Sequence, residues 1–174
     1  TLDTTTGEIS TPELVAKTTN PSFLALHPNG RFLYSVDESD TGYVHAFAID
    51  PDKSLRHLNV EATFGSAPCH ISLDHAGNHV FVSNYTSGSL AVYTVKADGR
   101  LGQSAHFFQN AGSGPDRSRQ EGPHMHFAGT DAGDAQVYAC DLGTDEILVF
   151  DMDSATGSLT RNFAATGKAP AGGG

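Results

Sequence analysis

Short stretches rich in branched and aromatic residues alternate along the chain with clusters of glycine, asparagine, aspartate and proline. In the first third of the sequence these stretches cover 23–27, 31–37, 43–50 and 55–63. Branched and aromatic residues favour strands, whereas the polar clusters provide the positive φ angles and local side-chain hydrogen bonds of tight turns. No window shows the capped 3.6-residue apolar spacing of a helix. The pattern predicts an all-β fold of short strands.

The four-strand unit repeats along the chain. The segment 68–84 aligns with 21–37 without a gap, at an offset of 47 residues (68 − 21), and places Gly77 on Gly30. A third copy begins near Pro123. Four strands within roughly 40 to 50 residues is the period of a β-propeller blade. A β-sandwich would not repeat at a fixed offset with matched turn glycines, so we predict four-stranded antiparallel blades, about three of them in this chain.

The repeat makes the whole of 1–174 a single propeller fragment. We place the end of one blade at 1–20, full blades at 21–67, 68–122 and 123–169, and the start of another at 170–174. Propeller rings contain roughly four to eight blades, so three blades do not close one. We expect the remaining blades to come from sequence outside this chain or from a second chain.

Composition narrows the classes of function. The chain is 38% hydrophobic and 17% charged, which is typical of a folded protein. Its formal charge of −10, from 10 basic and 20 acidic residues, would repel nucleic acid. No apolar run reaches the length of a membrane span, so we expect no membrane partner. We expect a cytoplasmic protein, and a periplasmic or secreted location stays open because the sequence does not begin with methionine.

Three phrases of the sequence resemble one known family. They are 20–34, 67–93 and 120–126, the last followed by 141–145. In this order they are similar to the seven-bladed β-propeller lactonase family, also called 6-phosphogluconolactonase or carboxymuconate-cyclase-like. The resemblance implies a seven-bladed ring, a small-molecule sugar lactone as the substrate, and no obligatory metal or organic cofactor. The strand at 126–131 departs from the family, because it is less apolar than usual.

The second repeat contains an insertion. The interval from Pro68 to Pro123 is 55 residues (123 − 68), against 47 for the one before it, and the excess is the polar loop 112–119. Insertions in repeat proteins map to loops, often on the binding face. Links that enter strand one open on the same face as the ends of strand two. We therefore expect the inserted loop, the start of the channel-lining strands and the strand-two ends to share a face.

Lactone hydrolysis needs a water nucleophile, a base and a group that stabilises the oxyanion. A carboxylate or imidazole suits the base, and arginine suits the oxyanion or a phosphate. We predict Glu121, His124, His70 and Arg119 as catalytic residues, and Arg117, His126, Asn84 and Asp141 as substrate-binding residues. Which of Glu121 and the histidines is the base stays open. Asp37, Asn84 and Asp141 recur at one position, which also suits backbone capping.

Several alternatives remain at this stage. His70, His124 and His126 could form a three-histidine zinc site, although the resemblance implies a metal-free family. The fold would also suit a muconate lactonising cycloisomerase, or a non-catalytic interaction module. The other six histidines are expected to have no chemical role, namely His27, His45, His57, His75, His79 and His106. Replacing His79 with alanine is expected to change neither activity nor the melting temperature.

Overall fold

The computed structural model describes residues 1–172, and every regular element within them is a strand. Three antiparallel sheets follow one another along the chain. The first contains β1 (Leu24–Leu26), β2 (Phe32–Asp37), β3 (Tyr43–Ile49) and β4 (Leu55–Ala62). The second contains β5 (Pro68–Leu73), β6 (His79–Asn84), β7 (Ser89–Val95) and β8 (Leu101–Gln109). The third contains β9 (Met125–Thr130), β10 (Gln136–Asp141), β11 (Glu146–Asp153), β12 (Ser158–Arg161) and β13 (Gly167–Lys168).

Each sheet is an up-and-down meander in which consecutive strands pair. The all-β prediction and the four-stranded antiparallel blades are therefore confirmed. In the third sheet the fourth strand is split, because β12 and β13 both pair with β11 on either side of a turn at 163–165. The three sheets lie within the blade ranges predicted from the repeat, and the blade limits themselves stay predictions.

Two apolar layers hold the sheets together. One lies between the first and second sheets and the other between the second and third. Successive residues of a strand point to opposite faces, so Val80 and Val82 of β6 join the first layer while Phe81 joins the second. All of β6 is buried because its sheet has a neighbour on each side. The second blade is thus the most enclosed part of the described chain.

Residues 1–20 differ from the prediction that they supply the last strands of a blade. They contain one isolated bridge, between Leu2 and Ile9. In the turn between these two residues, the Asp3 carboxylate accepts hydrogen bonds from backbone N–H groups. A two-stranded hairpin with no third strand beside it has few hydrogen-bond partners, so no ladder forms. The predicted start of a further blade at 170–174 is a turn as far as residue 172, and its last two residues lie outside the described range.

His79 is a correction to the sequence reading. Its side chain is only 2% exposed, and its Nδ1 lies 2.8 Å from Oδ2 of Asp74, which is equally buried. Asp74 also accepts the backbone N–H groups of Asn78 and His79, which closes the turn between β5 and β6. A buried polar pair with these contacts is expected to contribute to stability, so we now expect His79→Ala to destabilise the fold.

No helix among residues 1–172 has the length and apolarity that crossing a membrane requires.

Candidate functional site

One buried glutamine fixes the end of the inserted loop. The Nε2 of Gln120 donates to the carbonyl of Leu142 and to Oδ1 of Asp145, both at 2.8 Å. Its Oε1 accepts from the backbone N–H of Asp116 at 3.0 Å. These bonds tie the loop to the turn after β10, so the next residue, Glu121, leaves the loop at a defined place. The sequence analysis missed Gln120, because a glutamine in a polar loop gives no sign that it is buried.

The short link between the inserted loop and β9 packs closely against two glycines. A Cβ on Gly143 would overlap the carbonyl of Gly122, and one on Gly88, whose φ is +61°, would overlap the carbonyl of Pro123. Both glycines lie in turns that open on the same face as the loop. Only a residue without a side chain lets the link pass between these turns.

Asp141 holds the backbone of the residue that follows the link. Its Oδ1 accepts the N–H of His124 at 2.8 Å and that of Thr144 at 3.2 Å. Its Oδ2 accepts from Nδ2 of Asn110 at 2.8 Å. The carboxylate is buried, and all three donors belong to the scaffold. These contacts favour a role in positioning His124, while the substrate contact of Asp141 stays a prediction.

Asn84 occupies the equivalent place in the second sheet. It is 0% exposed, and its Nδ2 donates to the carbonyl of Thr63 at 3.3 Å and to Oγ of Ser89 at 3.1 Å. A side chain with no exposed surface cannot touch a substrate, so Asn84 too supports the scaffold. The backbone-capping reading of this recurring position fits both residues better than the substrate-binding one.

Glu121 and His124 meet at the open end of the link. The Nε2 of His124 lies 3.3 Å from Oε1 of Glu121. Its Nδ1 lies 3.1 Å from the carbonyl of Tyr85, which can only accept, so Nδ1 carries a proton. His124 is buried, whereas the Glu121 side chain is 63% exposed. The pair therefore combines an ordered imidazole with a carboxylate that faces water.

Tyr85 is a residue of the candidate site that the sequence analysis missed. Its ring stacks on His124 with centroids 4.6 Å apart and an interplanar angle of 19°. His126 meets the same ring edge-on at 5.7 Å and 90°. The sequence offers only the position of Tyr85, directly after β6, as a signal. Its contacts join two sheets.

A β-bulge sets the position of His126. Cys140 pairs with Phe127 and Asp141 pairs with Met125, which leaves His126 as an extra residue on β9. The second sheet has the same irregularity at Cys69. Bulges re-aim side chains and often lie beside active sites. With this bulge, both His124 and His126 lie against the ring of Tyr85.

His70 lies between two aromatic rings, one from the first sheet's side and one from the third sheet. Phe23 and Phe127 approach it with centroid distances of 4.5 and 4.7 Å. Burial, together with the neighbouring His126, lowers the pKa of His70 to about 4, so the ring is neutral near pH 7. Its Nδ1 accepts from the N–H of Ala128 at 3.5 Å, which leaves the proton on Nε2.

The two loop arginines are exposed. Arg117 and Arg119 form no ion pair with a carboxylate within residues 1–172, although Arg119 lines a small cleft beside Asp116 and Gln120. The structure thus brings together Glu121, His124 and His126, while the arginines lie further along the same loop. Their predicted roles stay predictions.

The three-histidine zinc arrangement does not form in the part of the chain that is described. No group of three metal-ligating side chains occurs there. His124 has both ring nitrogens against other partners, and His70 uses its Nδ1 for a backbone N–H.

Comparison with known proteins adds independent findings. Residues 1–174 match the family described as lactonase, 7-bladed beta-propeller. The chain is 36% identical over 167 residues to 6-phosphogluconolactonase of Bacillus subtilis, covering 94% of this chain and 48% of the relative. It is 35% identical over 155 residues to 6-phosphogluconolactonase of Formosa agariphila, covering 87% and 44%.

A solved structure is also similar along almost the whole chain. The periplasmic gluconolactonase of Pseudomonas aeruginosa superposes with a TM-score of 0.89 at 29% identity, covering 99% of this chain and 51% of that one. The chain therefore spans about half the length of the relatives it matches.

Proposed function

The chain belongs to the seven-bladed β-propeller lactonase family, and from this premise we propose that the protein containing it hydrolyses a sugar lactone, 6-phosphogluconolactone in particular. The observation that carries the proposal is the Glu121–His124 pair, in which a water-exposed carboxylate lies 3.3 Å from a buried imidazole. The relatives reported above are described as lactonases, which supports this reaction over the cycloisomerase and interaction-module alternatives.

We assign the role of general base to Glu121. Its own backbone N–H, and next the ring of His124, hydrogen-bond to the carboxylate and hold the pKa of Glu121 below its usual value. The group is therefore ionised near pH 7, and its exposure gives water access to it. In the proposed step Glu121 takes a proton from water while the water oxygen attacks the lactone carbonyl carbon. The ring C–O bond then breaks, and the proton returns from Glu121 to the leaving alkoxide.

His70 is the proposed donor to the oxyanion. Its neutral ring carries the proton on Nε2, and a neutral donor in a partly apolar channel can stabilise developing negative charge. Arg117 and Arg119 are exposed and free of carboxylate partners in the described chain, so they are available to bind the phosphate of the substrate as a planar fork. The scheme uses no metal or organic cofactor.

The test is hydrolysis of 6-phosphogluconolactone and of unphosphorylated gluconolactone by the full-length protein, measured against the spontaneous rate. We expect Glu121→Gln to lower kcat by about 10²- to 10⁴-fold, the usual contribution of a general base. Glu8→Gln, an exposed change outside the site, is the matched control and should keep full activity. No acceleration on any sugar lactone, or full activity in Glu121→Gln, would refute the proposal.

A further inference from the structure

A cavity of about 570 Å³ lies between the first and second sheets, on the face opposite Glu121 and His124. The turns β1–β2, β3–β4 and β7–β8 border it, whereas the candidate site is built from the turns at the other ends of the strands. Its volume is within the range of roughly 300–1,000 Å³ for small-molecule sites. Both bordering sheets belong to this chain, and every residue that lines the cavity lies in or beside their strands.

The lining of this cavity is basic in a chain that is strongly acidic. Four of the ten lysines and arginines line it, against two carboxylates. The basic residues are Arg31, Lys53, Arg56 and Arg100, and the acidic ones are Asp50 and Asp98. The chain as a whole has a formal charge of −10, so this local excess of positive charge makes the cavity a place that attracts a small anion.

Two of the four cations are already paired at the rim. Arg56 lies 3.3 Å from Oδ1 of Asp50, and Arg100 pairs with Asp98. The other acid of the β3–β4 turn, Asp52, does not line the cavity, and it accepts from the backbone and hydroxyl of Ser54.

The remaining two cations have no carboxylate partner. Within residues 1–172, neither Arg31 nor Lys53 lies within ion-pair distance of an acidic group. Arg31 is held over the ring of Phe32, with its Cζ 5.3 Å from the ring centroid. The cavity therefore has two uncompensated positive charges, one of them a planar guanidinium that suits the oxygens of a phosphate.

The floor of the cavity is apolar. Phe32, Ala48 and Leu58 form it, and they belong to or pack against the apolar layer between the two sheets. An apolar floor with a few convergent polar groups is typical of a site for a small organic molecule. A bare anion would leave the floor unused, whereas a phosphate attached to a compact carbon skeleton would cover it.

We propose that this cavity binds a small phosphate monoester, with Arg31 and Lys53 on the phosphate and the carbon skeleton over Ala48 and Leu58. The inference is independent of the lactonase proposal, because the two sites lie on opposite faces and share no residue. It assigns a ligand-binding role to the face that has no part in the proposed chemistry.

Calorimetric titration of the full-length protein tests this, with glucose 6-phosphate, inorganic phosphate and glucose as probes. We expect saturable binding of glucose 6-phosphate, weaker binding of inorganic phosphate and none of glucose. The double variant Arg31→Gln/Lys53→Gln should bind glucose 6-phosphate at least tenfold more weakly, about 1.4 kcal/mol, with an unchanged melting temperature because both side chains are exposed. Lys17→Gln, an exposed lysine elsewhere, is the matched control and should bind as the unmodified protein does.

A second pair of variants separates this site from the catalytic one. Arg117→Gln/Arg119→Gln should keep the tight binding that Arg31→Gln/Lys53→Gln loses. No saturable binding of glucose 6-phosphate, or binding to the Arg117→Gln/Arg119→Gln protein that survives the further change Arg31→Gln/Lys53→Gln, would overturn the proposal. Equal affinity for inorganic phosphate would overturn the ester specificity. If a variant of the candidate catalytic site loses lactonase activity but binds glucose 6-phosphate as before, the result supports two separate sites. Such a loss then bears only on the proposed function.

Discussion

At the scale of single residues, Glu121 and His124 become a pair because both ends of their short link are anchored. Gln120 holds one end through its side chain, and Asp141 holds the other through the N–H of His124. The carbonyl of Tyr85 then orients the imidazole. The proposed base is exposed, and the residues that position it are buried, which is the usual division between a site and its support.

The link between His124 and the ionisation of Glu121 gives a first prediction. A general base must be ionised, so activity falls as the pH drops through the pKa of Glu121. In the unmodified protein we expect this acid limb of kcat/KM below pH 4.5, the ordinary value. His124→Phe keeps a ring against Tyr85 but removes the hydrogen bond to the carboxylate, so the limb should move up toward that value. The pH–rate profile of the full-length protein measures it.

The matched control for this prediction is Tyr85→Phe, which retains both the stacked ring and the backbone carbonyl. It should leave the acid limb where it is. An identical limb in His124→Phe would show that His124 does not set the ionisation of the base.

His79 provides a second prediction, opposite to the one made from the sequence. His79→Ala removes a buried partner of Asp74 and opens space beside Gly157 of the third sheet. We expect a loss of about 1–3 kcal/mol of unfolding free energy, because a buried carboxylate loses one of its hydrogen bonds. Denaturant unfolding of the full-length protein measures the loss, and kcat should not change. His57→Ala, on an exposed strand position, should cost far less.

At the scale of elements, the turns between strands connect neighbouring blades. Asp134 occupies a position that is glycine in the second copy, with φ of +53° against +75° at Gly77. Its carboxylate accepts the N–H groups of His75 and Ala76 across the blade boundary, and its Oδ1 lies 2.8 Å from Nδ1 of His75. The side chain of Asp134, at a position that is glycine in the second copy, thus connects the second blade to the third by hydrogen bonds.

This contact predicts a pH-dependent stability. Burial opposes ionisation of Asp134, but the hydrogen bonds from His75, Thr130 and Ala76 outweigh it and lower its pKa to about 2. The hydrogen bond and charge of Asp134 raise the pKa of His75. The contribution of Asp134 is present above its ordinary pKa of 3.8 and fades as the pH falls toward about 2. The contribution of His75 is present below 6.5 and fades as the pH rises through its raised pKa.

His75→Ala should therefore lower the melting temperature more at about pH 5 than at about pH 9. The effect should be modest and reduced by salt, because the His75 side chain is 63% exposed. Thermal unfolding of both proteins at the two pH values is the measurement. If His75→Ala lowers the melting temperature equally at both pH values, the ion pair does not account for the stability that this contact provides.

At the scale of the whole molecule, two sheet faces have no neighbouring sheet. Among residues 1–172, an irregular segment that includes 13–16 lies against the outer face of the first sheet, and the far face of the third sheet leaves Ile147 44% exposed. The positions of the first and second sheets that correspond to Ile147 lie in the two apolar layers between sheets, and they are fully buried. The relatives are about twice as long, so further blades would cover these faces.

We therefore predict that residues 1–174 expressed alone self-associate and unfold over a broader temperature range than the full-length protein. Terminal repeats without a cap lose stability, and open sheet edges favour pairing with other chains. Light scattering after size exclusion and a thermal melt of both proteins test it. A monodisperse monomer of the fragment with lactonase activity would contradict the prediction.

The sequence by itself determined the strands, their grouping into blades and the face that carries the loop. These features depend on local chemistry: branched residues at alternating positions, glycine and aspartate in the turns, and a fixed offset between copies. The same local signals placed Glu121, His124 and His126 near one another, because a loop and the strand after it must share a face.

Only the tertiary structure decided which side chains meet. Tyr85 and His124 are 39 residues apart, and His75 and Asp134 are 59 apart, so each contact exists only once two blades have packed. Burial was decided in the same way: the sequence left Asn84 and Asp141 between substrate binding and backbone capping and gave His79 no role, and only packing shows that all three are enclosed. The basic cavity follows the same rule, since its arginines come from two sheets that no local pattern brings together.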